Sequence, residues 1–140
     1  MKTKPFDQEV HDACDPVARD AVIKYLARCN RTAYPHPDKY KVDLIVENEF
    51  MVPVCYAEIE MRDWESCPFN TVHVPSRKKK LVDNDLPTLY FVVSKGLKRA
   101  MWCDGKDIVA SPLREVPNKA VKSGEYFYDV SIDCFKEVLL

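Results

Sequence analysis

The chain has 140 residues, the size of one domain with a single core; it is 46% hydrophobic and 31% charged with only three glycines, which excludes disordered, collagenous and low-complexity classes. A net charge of −1 excludes a uniformly basic protein but allows a local basic stripe, of which Arg77-Lys78-Lys79-Lys80 is the clearest instance. No apolar run approaches the roughly 18 residues of a membrane span, and no apolar stretch follows the basic amino terminus as in a secretion signal. A soluble, cytoplasmic protein is therefore expected, its six cysteines (Cys14, Cys29, Cys55, Cys67, Cys103, Cys134) free thiols that mostly fill core space. None forms a C-x-x-C pair, so spacing supports no structural zinc site.

In chain order, Val17, Ala18, Ala21, Val22, Tyr25, Leu26 and Cys29 recur at helical spacing after Asp15 as N-cap and Pro16 at the first helical position, with the end placed near Asn30. Pro35 and Pro37 turn the next segment into an extended loop. From Tyr40 to Glu47 the pattern alternates, Val42, Leu44 and Val46 on one face and Lys41, Asp43, Ile45 and Glu47 on the other; Met51 to Arg62 is a second run of strand formers, and the two predict a hairpin. Thr71 to Pro75 suggests a brief extended piece, and Ser76 caps a short helix from Arg77 to about Asp83 that presents the basic run. Leu89 to Ser94 is a continuous apolar run, the pattern of a central buried strand. Lys98 to Cys103 returns as strand, Asp104-Gly105 reads as a tight turn before Lys106 to Val109, Glu125 to Val130 adds a strand, and a terminal helix is expected from about Ser131. The expected architecture is a single α/β domain over 1–140, a mixed central sheet flanked by helices.

Chemistry concentrates in the hairpin. Glu58 and Glu60 share a strand face about 7 Å apart, and a neighbouring strand lies about 5 Å away, so Asp43 can join them. Three such anions repel one another and raise one another's pKa values unless a cation sits among them, and Mg²⁺ or Mn²⁺ is the natural occupant. The competing reading is a solvated acidic face paired with Lys41, Arg62 or the basic run. His36 and His73 are each isolated and lack a spaced partner for zinc or base chemistry. No G-x-S-x-G elbow, Walker loop or dinucleotide glycine loop occurs.

On these residues the chain resembles the PD-(D/E)XK nuclease superfamily, with its restriction-endonuclease-like core of helix, strand, strand, strand, helix, strand, across roughly residues 15 to 94. Val42-Asp43 followed by Glu58-Ile59-Glu60 occupies the places of that family's metal-binding Asp and D/E-x-K tripeptide, with Val42 where the family has proline and Glu60 where it usually has lysine. The resemblance implies Asp43, Glu58 and Glu60 around a magnesium or manganese ion, with a water deprotonated near Glu60. It implies a basic residue of the following helix, Lys78 above its neighbours, in place of the missing lysine, and in a subset of the family an acid from the first helix, here Asp20. It implies DNA as partner, contacted through Arg77, Lys78, Lys79 and Lys80 and stacked on by Trp64, Tyr34 or His73, homodimerisation as in many such nucleases, and a role in repair, recombination or the DNA processing of a phage or mobile element. The alternatives are a decayed nuclease fold that binds DNA without cutting, and an interaction protein presenting Trp64, Phe69 and Trp102.

Overall fold

Helix α1 (Gln8–Arg28) starts two turns ahead of Asp15 and runs through Pro16; Gln8, Glu9 and Ala13 favour helix, and a proline removes only one of the helical hydrogen bonds. Its end fits the sequence: Asn30 takes φ 61°, and the amides of Asn30 and Arg31 donate to the carbonyls of Ala27 and Leu26, a Schellman closure with asparagine in the left-handed position. The structure, a computed structural model, describes residues 8–38, 42–64, 70–118 and 121–140, with the backbone path alone at 8–15, 80, 116–118 and 121–124.

The expected loop after α1 holds a strand, β1 (Thr32–Pro35), antiparallel to β2 (Leu44–Glu47). It is an edge strand, where a proline disturbs no ladder. The predicted hairpin is present: β2 pairs antiparallel with β3 (Pro53–Arg62), Leu44 opposite Ala57 and Ile45 opposite Tyr56. Its turn is held by the Asn48 side chain, which accepts the amides of Phe50 and Val52 at 2.9 and 3.1 Å while Met51 sits at φ 62°.

The chain then leaves this sheet through β4 (Thr71–Pro75) and the expected short helix, which is a 3₁₀ segment (Ser76–Val82). It returns as β5 (Thr88–Ser94), the predicted central strand, parallel to β3 with Glu58 beside Tyr90, and β6 (Arg99–Asp104) follows antiparallel. Asp104-Gly105 does not turn into a strand: Asp104 caps a short helix α2 (Gly105–Val109) by accepting the Lys106 amide at 3.0 Å. A Cβ on Gly105 would lie 3.0 Å from the Leu81 Cβ and 3.1 Å from the Thr88 carbonyl, so glycine permits α2 to press on the 3₁₀ segment.

Strands β7 (Leu113–Asn118) and β8 (Val121–Ser131) come next. The expected terminal helix is one 3₁₀ turn (Ile132–Cys134) capped by Ser131, then β9 (Lys136–Leu139). The Ser131 cap is real, but β6 offers a free edge, and pairing with it overrides local helix signals.

Two sheets result, β1-β2-β3-β5-β6-β9 and β4-β8-β7. The first is mixed and covered on one side by Ala18, Val22 and Leu26 of α1, which pack on Leu44, Val46, Ala57, Ile59, Phe91 and Val93. On its other side Tyr90, Val92, Met101 and Cys103 meet Val72, Val74, Tyr128 and Val130 of the second sheet, with Leu81 and Ile108. The α/β class holds, but among the described residues a long helix flanks only one face, and the layer on the other is mostly strand. Cys29, Cys55, Cys103 and Cys134 are free thiols among the described residues, while the Cys14 side chain and Cys67 lie outside them. No helix among the described residues is long and apolar enough to cross a membrane.

Candidate carboxylate and lysine site

Alternation along β3 separates two chemistries. Ala57, Ile59 and Met61 turn toward α1, and Glu58, Glu60 and Arg62 turn to the opposite face. Asp43 stands one residue before β2, and continuing the register that pairs Leu44 with Ala57 brings it level with Glu58. It is held at both ends: its Oδ2 accepts the Ile59 amide at 2.7 Å, and its carbonyl accepts the His36 amide at 3.0 Å.

Glu58 is only 6% exposed. Its Oε1 accepts from the Lys78 ammonium at 3.3 Å, so the 3₁₀ segment delivers one of its basic residues inward onto the acid. A buried ion pair is a poor stabiliser, because desolvating both charges offsets most of their attraction.

Glu60 is held differently. Its Oε1 accepts from Arg62 Nε at 2.9 Å and its Oε2 from the Tyr90 hydroxyl. Burial pushes the Glu60 carboxyl up, but the Arg62 hydrogen bond and charge, the Tyr90 hydroxyl and the Lys78 charge outweigh it and hold the group below its ordinary value. Burial, with the Glu60 charge beside it, drives the Tyr90 phenol well above its ordinary value, so it remains a donor.

The structure thus pairs Lys78 with Glu58, ties Glu60 to Arg62 and Tyr90 alongside, and sets Asp43 level with Glu58 in the register with its carboxylate on the Ile59 amide. Asp20 is exposed on α1, across the sheet from Glu58 and Glu60, and cannot join them. Arg77 and Lys79 are exposed; the Lys80 side chain, like Lys41 and Phe69, lies outside the described residues. The aromatic residues expected to stack on bases are scattered: Tyr34 donates to Glu47 at 2.8 Å, Trp64 lies under the Arg99 guanidinium, and His73 sits beside Asp129 and Arg114 on the second sheet. Trp102 packs at a tilt on Phe91 in the α1 layer and Trp64 packs in the layer of the second sheet, so the two share no surface patch.

Two neighbours of the site, Tyr90 and Tyr56, carry no signal in the linear sequence, and a third, His36, lacks a spaced partner there. Tyr90 is masked by its apolar run, although its register beside Glu58 puts it on the acid face. Tyr56 donates to Asp85 at 2.7 Å, and the His36 ring meets it edge-on at 5.7 Å.

Among the described residues, no three of His, Cys, Asp and Glu form a group that could hold a metal ion. What remains is a pair of hard oxygen donors, Asp43 and Glu58, the chemistry that suits Mg²⁺ or Mn²⁺, with a positive charge already seated against Glu58. Glu60, engaged by Arg62 and Tyr90, adds no third donor. No family model matches the chain, and no curated protein or solved structure matches it.

Proposed function

We propose that the chain is a divalent-metal-dependent nuclease that hydrolyses DNA phosphodiester bonds, built on a restriction-endonuclease-like core. The observation that carries this reading is the Lys78–Glu58 ion pair, with Asp43 level with Glu58 in the strand register. The element order supports it: α1, the antiparallel run β1-β2-β3, a 3₁₀ segment, then β5 parallel to β3 follow the order of that core, with β4 added before the segment.

In this reading Asp43 and Glu58 would hold the ion, which when bound supplies Lewis acidity toward a phosphate oxygen. The Ile59 amide fixes the Asp43 carboxylate in one orientation. Lys78 Nζ is the protein's own cation for negative charge that grows on the scissile phosphate, the part the family's tripeptide lysine would play. A carboxylate held below its ordinary value is a poor proton acceptor, so Glu60 acts by keeping Arg62 and Tyr90 in place and not as the base that deprotonates water. Exposed Arg77 and Lys79 suit the DNA backbone. A small nuclease of this kind suits repair or the DNA processing of a phage or mobile element, in the cytoplasm of its cell or host, and dimerisation would set two sites across a duplex.

Calorimetric titration with Mg²⁺ and Mn²⁺, alongside cleavage of plasmid and single-stranded DNA, tests the proposal. Binding and cleavage that both vanish in Asp43→Ala and Glu58→Ala support it; cleavage retained by both variants would falsify it. A second reading, a DNA-binding module without activity, is favoured by Glu60 in the lysine's place and by the two-acid set; it predicts salt-dependent DNA binding and no cutting in either metal.

A further inference from the structure

The tip of the β2–β3 hairpin puts three large apolar side chains into solvent: Phe50 is 77% exposed, Met51 79% and Val52 52%. The turn that presents them is closed, because the Asn48 side chain accepts the amides of Phe50 and Val52, the Asn48 carbonyl accepts the Met51 amide at 3.0 Å, and the Asn48 amide donates to the Val52 carbonyl at 2.9 Å. Met51 stands at φ 62°, where glycine or asparagine is the ordinary choice. A methionine there strains the backbone and buries little, and a row of exposed apolar groups marks an interaction surface. Glu47 and exposed Glu49 flank the tip, so it is an apolar knob with an acidic collar.

A groove of matching character lies along α1. Val17 and Ala21 of the helix, with Leu97 and Leu140, give it apolar walls, and Lys24 and Arg28 add positive charge one and two turns beyond Ala21; Asp20 is the one acid among the described residues of its lining. Arg28 is fixed in place by donating to the Leu139 carbonyl at 2.6 Å. At about 360 Å³ the groove reaches the roughly 300–1,000 Å³ range of ligand sites, room for the ends of two large side chains. None of these residues belongs to the hairpin, so every copy of the chain carries a knob and a separate hole.

We propose that the hairpin tip of one copy docks in the α1 groove of a second copy, Phe50 and Met51 entering between the apolar walls while Glu49 faces Lys24 and Arg28. The charges favour this occupant over a bilayer, since the negative surface of a membrane repels Glu47 and Glu49. Two side chains and a turn bury less than the roughly 1,200 Å² of a stable interface, so the association is weak and concentration-dependent. Because knob and hole are different surfaces, copies close into a reciprocal pair or a ring, or extend. The contact stands apart from the nuclease reading: neither surface includes Asp43, Glu58, Glu60 or Lys78.

Sedimentation velocity of the full chain over a range of concentrations tests this. The wild-type chain should sediment faster as concentration rises. Phe50→Ser with Met51→Ser should weaken association about 30-fold, and Val17→Glu should do the same from the groove side; all three positions are more than half exposed, so both variants keep their fold, as circular dichroism checks. Mixed in equal amounts, the two variants should associate again, since the intact tip of one meets the intact groove of the other. Glu49→Lys should weaken association about threefold, and adding Lys24→Glu to it should restore the wild-type behaviour. A chain that stays monomeric at every concentration, an association that survives both variants, or variants that fail to complement each other overturns the docking. Binding of phosphatidylcholine vesicles by a monomeric chain, lost with Phe50→Ser and Met51→Ser, would also overturn it and assign the tip to a membrane.

Discussion

The two faces of the six-stranded sheet are both covered, yet the same strand, β3, meets apolar side chains on one and charges on the other. Toward α1 it offers Ala57, Ile59 and Met61 to a layer of aliphatic and aromatic groups; one residue away in sequence, Glu58, Glu60 and Arg62 are held by Lys78, Tyr90 and one another. Burial alone does not distinguish these positions, since Ala57, Glu58 and Ile59 are all buried. Partners do. A charge survives where the covering layer brings a counter-charge, and the 3₁₀ segment does this where α1 does not.

The sharpest way to break the contrast is to move an acid across by one position. Ala57→Asp places a carboxylate in the α1 layer without a cation and should destabilise by about 3–5 kcal/mol, seen as a large fall in thermal midpoint or loss of the folded state. An unchanged midpoint would mean that the faces do not differ as argued. Next comes Lys78→Met, which leaves Glu58 without its ammonium and should cost about 3 kcal/mol, whereas Lys78→Met combined with Glu58→Leu should recover most of it. Both should lack cleavage, by more than the roughly 10–100-fold lost with an outer-shell partner, so that chemical denaturation and cleavage rates together separate stability from function.

Smaller effects refine the Glu60 cluster. Tyr90→Phe removes a hydrogen bond to a charged group and should cost about 1.5–3 kcal/mol near neutral pH. Because the folded-state value of Tyr90 is raised, its contribution is complete below the ordinary phenol value of 10.0 and is lost as pH rises through the folded value; Tyr90→Phe should flatten that alkaline limb of a stability curve. Glu60 is lowered, so its contribution is present above its ordinary 4.5 and is lost as pH falls through the folded value, and Glu60→Gln should flatten the acid limb instead. At the hairpin tip, away from both faces, Met51→Gly relieves a positive φ and should stabilise by no more than about 1 kcal/mol by melting.

The hairpin and β5 are legible in sequence because their information is local: alternation in Leu44 to Glu47 and an unbroken apolar run at Leu89 to Ser94. The proximity of Asp43 to Glu58 follows from the same register. What hides is what pairs at long range. β4 reads in sequence as a brief extended piece, but nothing there names its partner, residues 127–131 of β8, and β9 forms because β6 has an edge to fill. The inward reach of Lys78 is suggested only by the resemblance, since four consecutive basic residues look alike on paper. Asp20 misleads for a related reason: helical periodicity gives its side of α1 but not which face of the sheet α1 covers.

The pairing of β4 with β8 also sets a schedule. The segment bearing Lys78 starts at Ser76, directly after a strand whose partner is residues 127–131. On the ribosome, α1, β1, β2, β3 and β5 exist well before that partner does. At about 5–20 residues per second, roughly 2–7 s of synthesis pass between the completion of β5 and that of β8. During that interval Tyr90 and Val92 lack their covering layer and the acid face lacks a fixed Lys78. A chain stalled short of β8 would therefore carry Glu58 without the packed segment that brings Lys78 onto it.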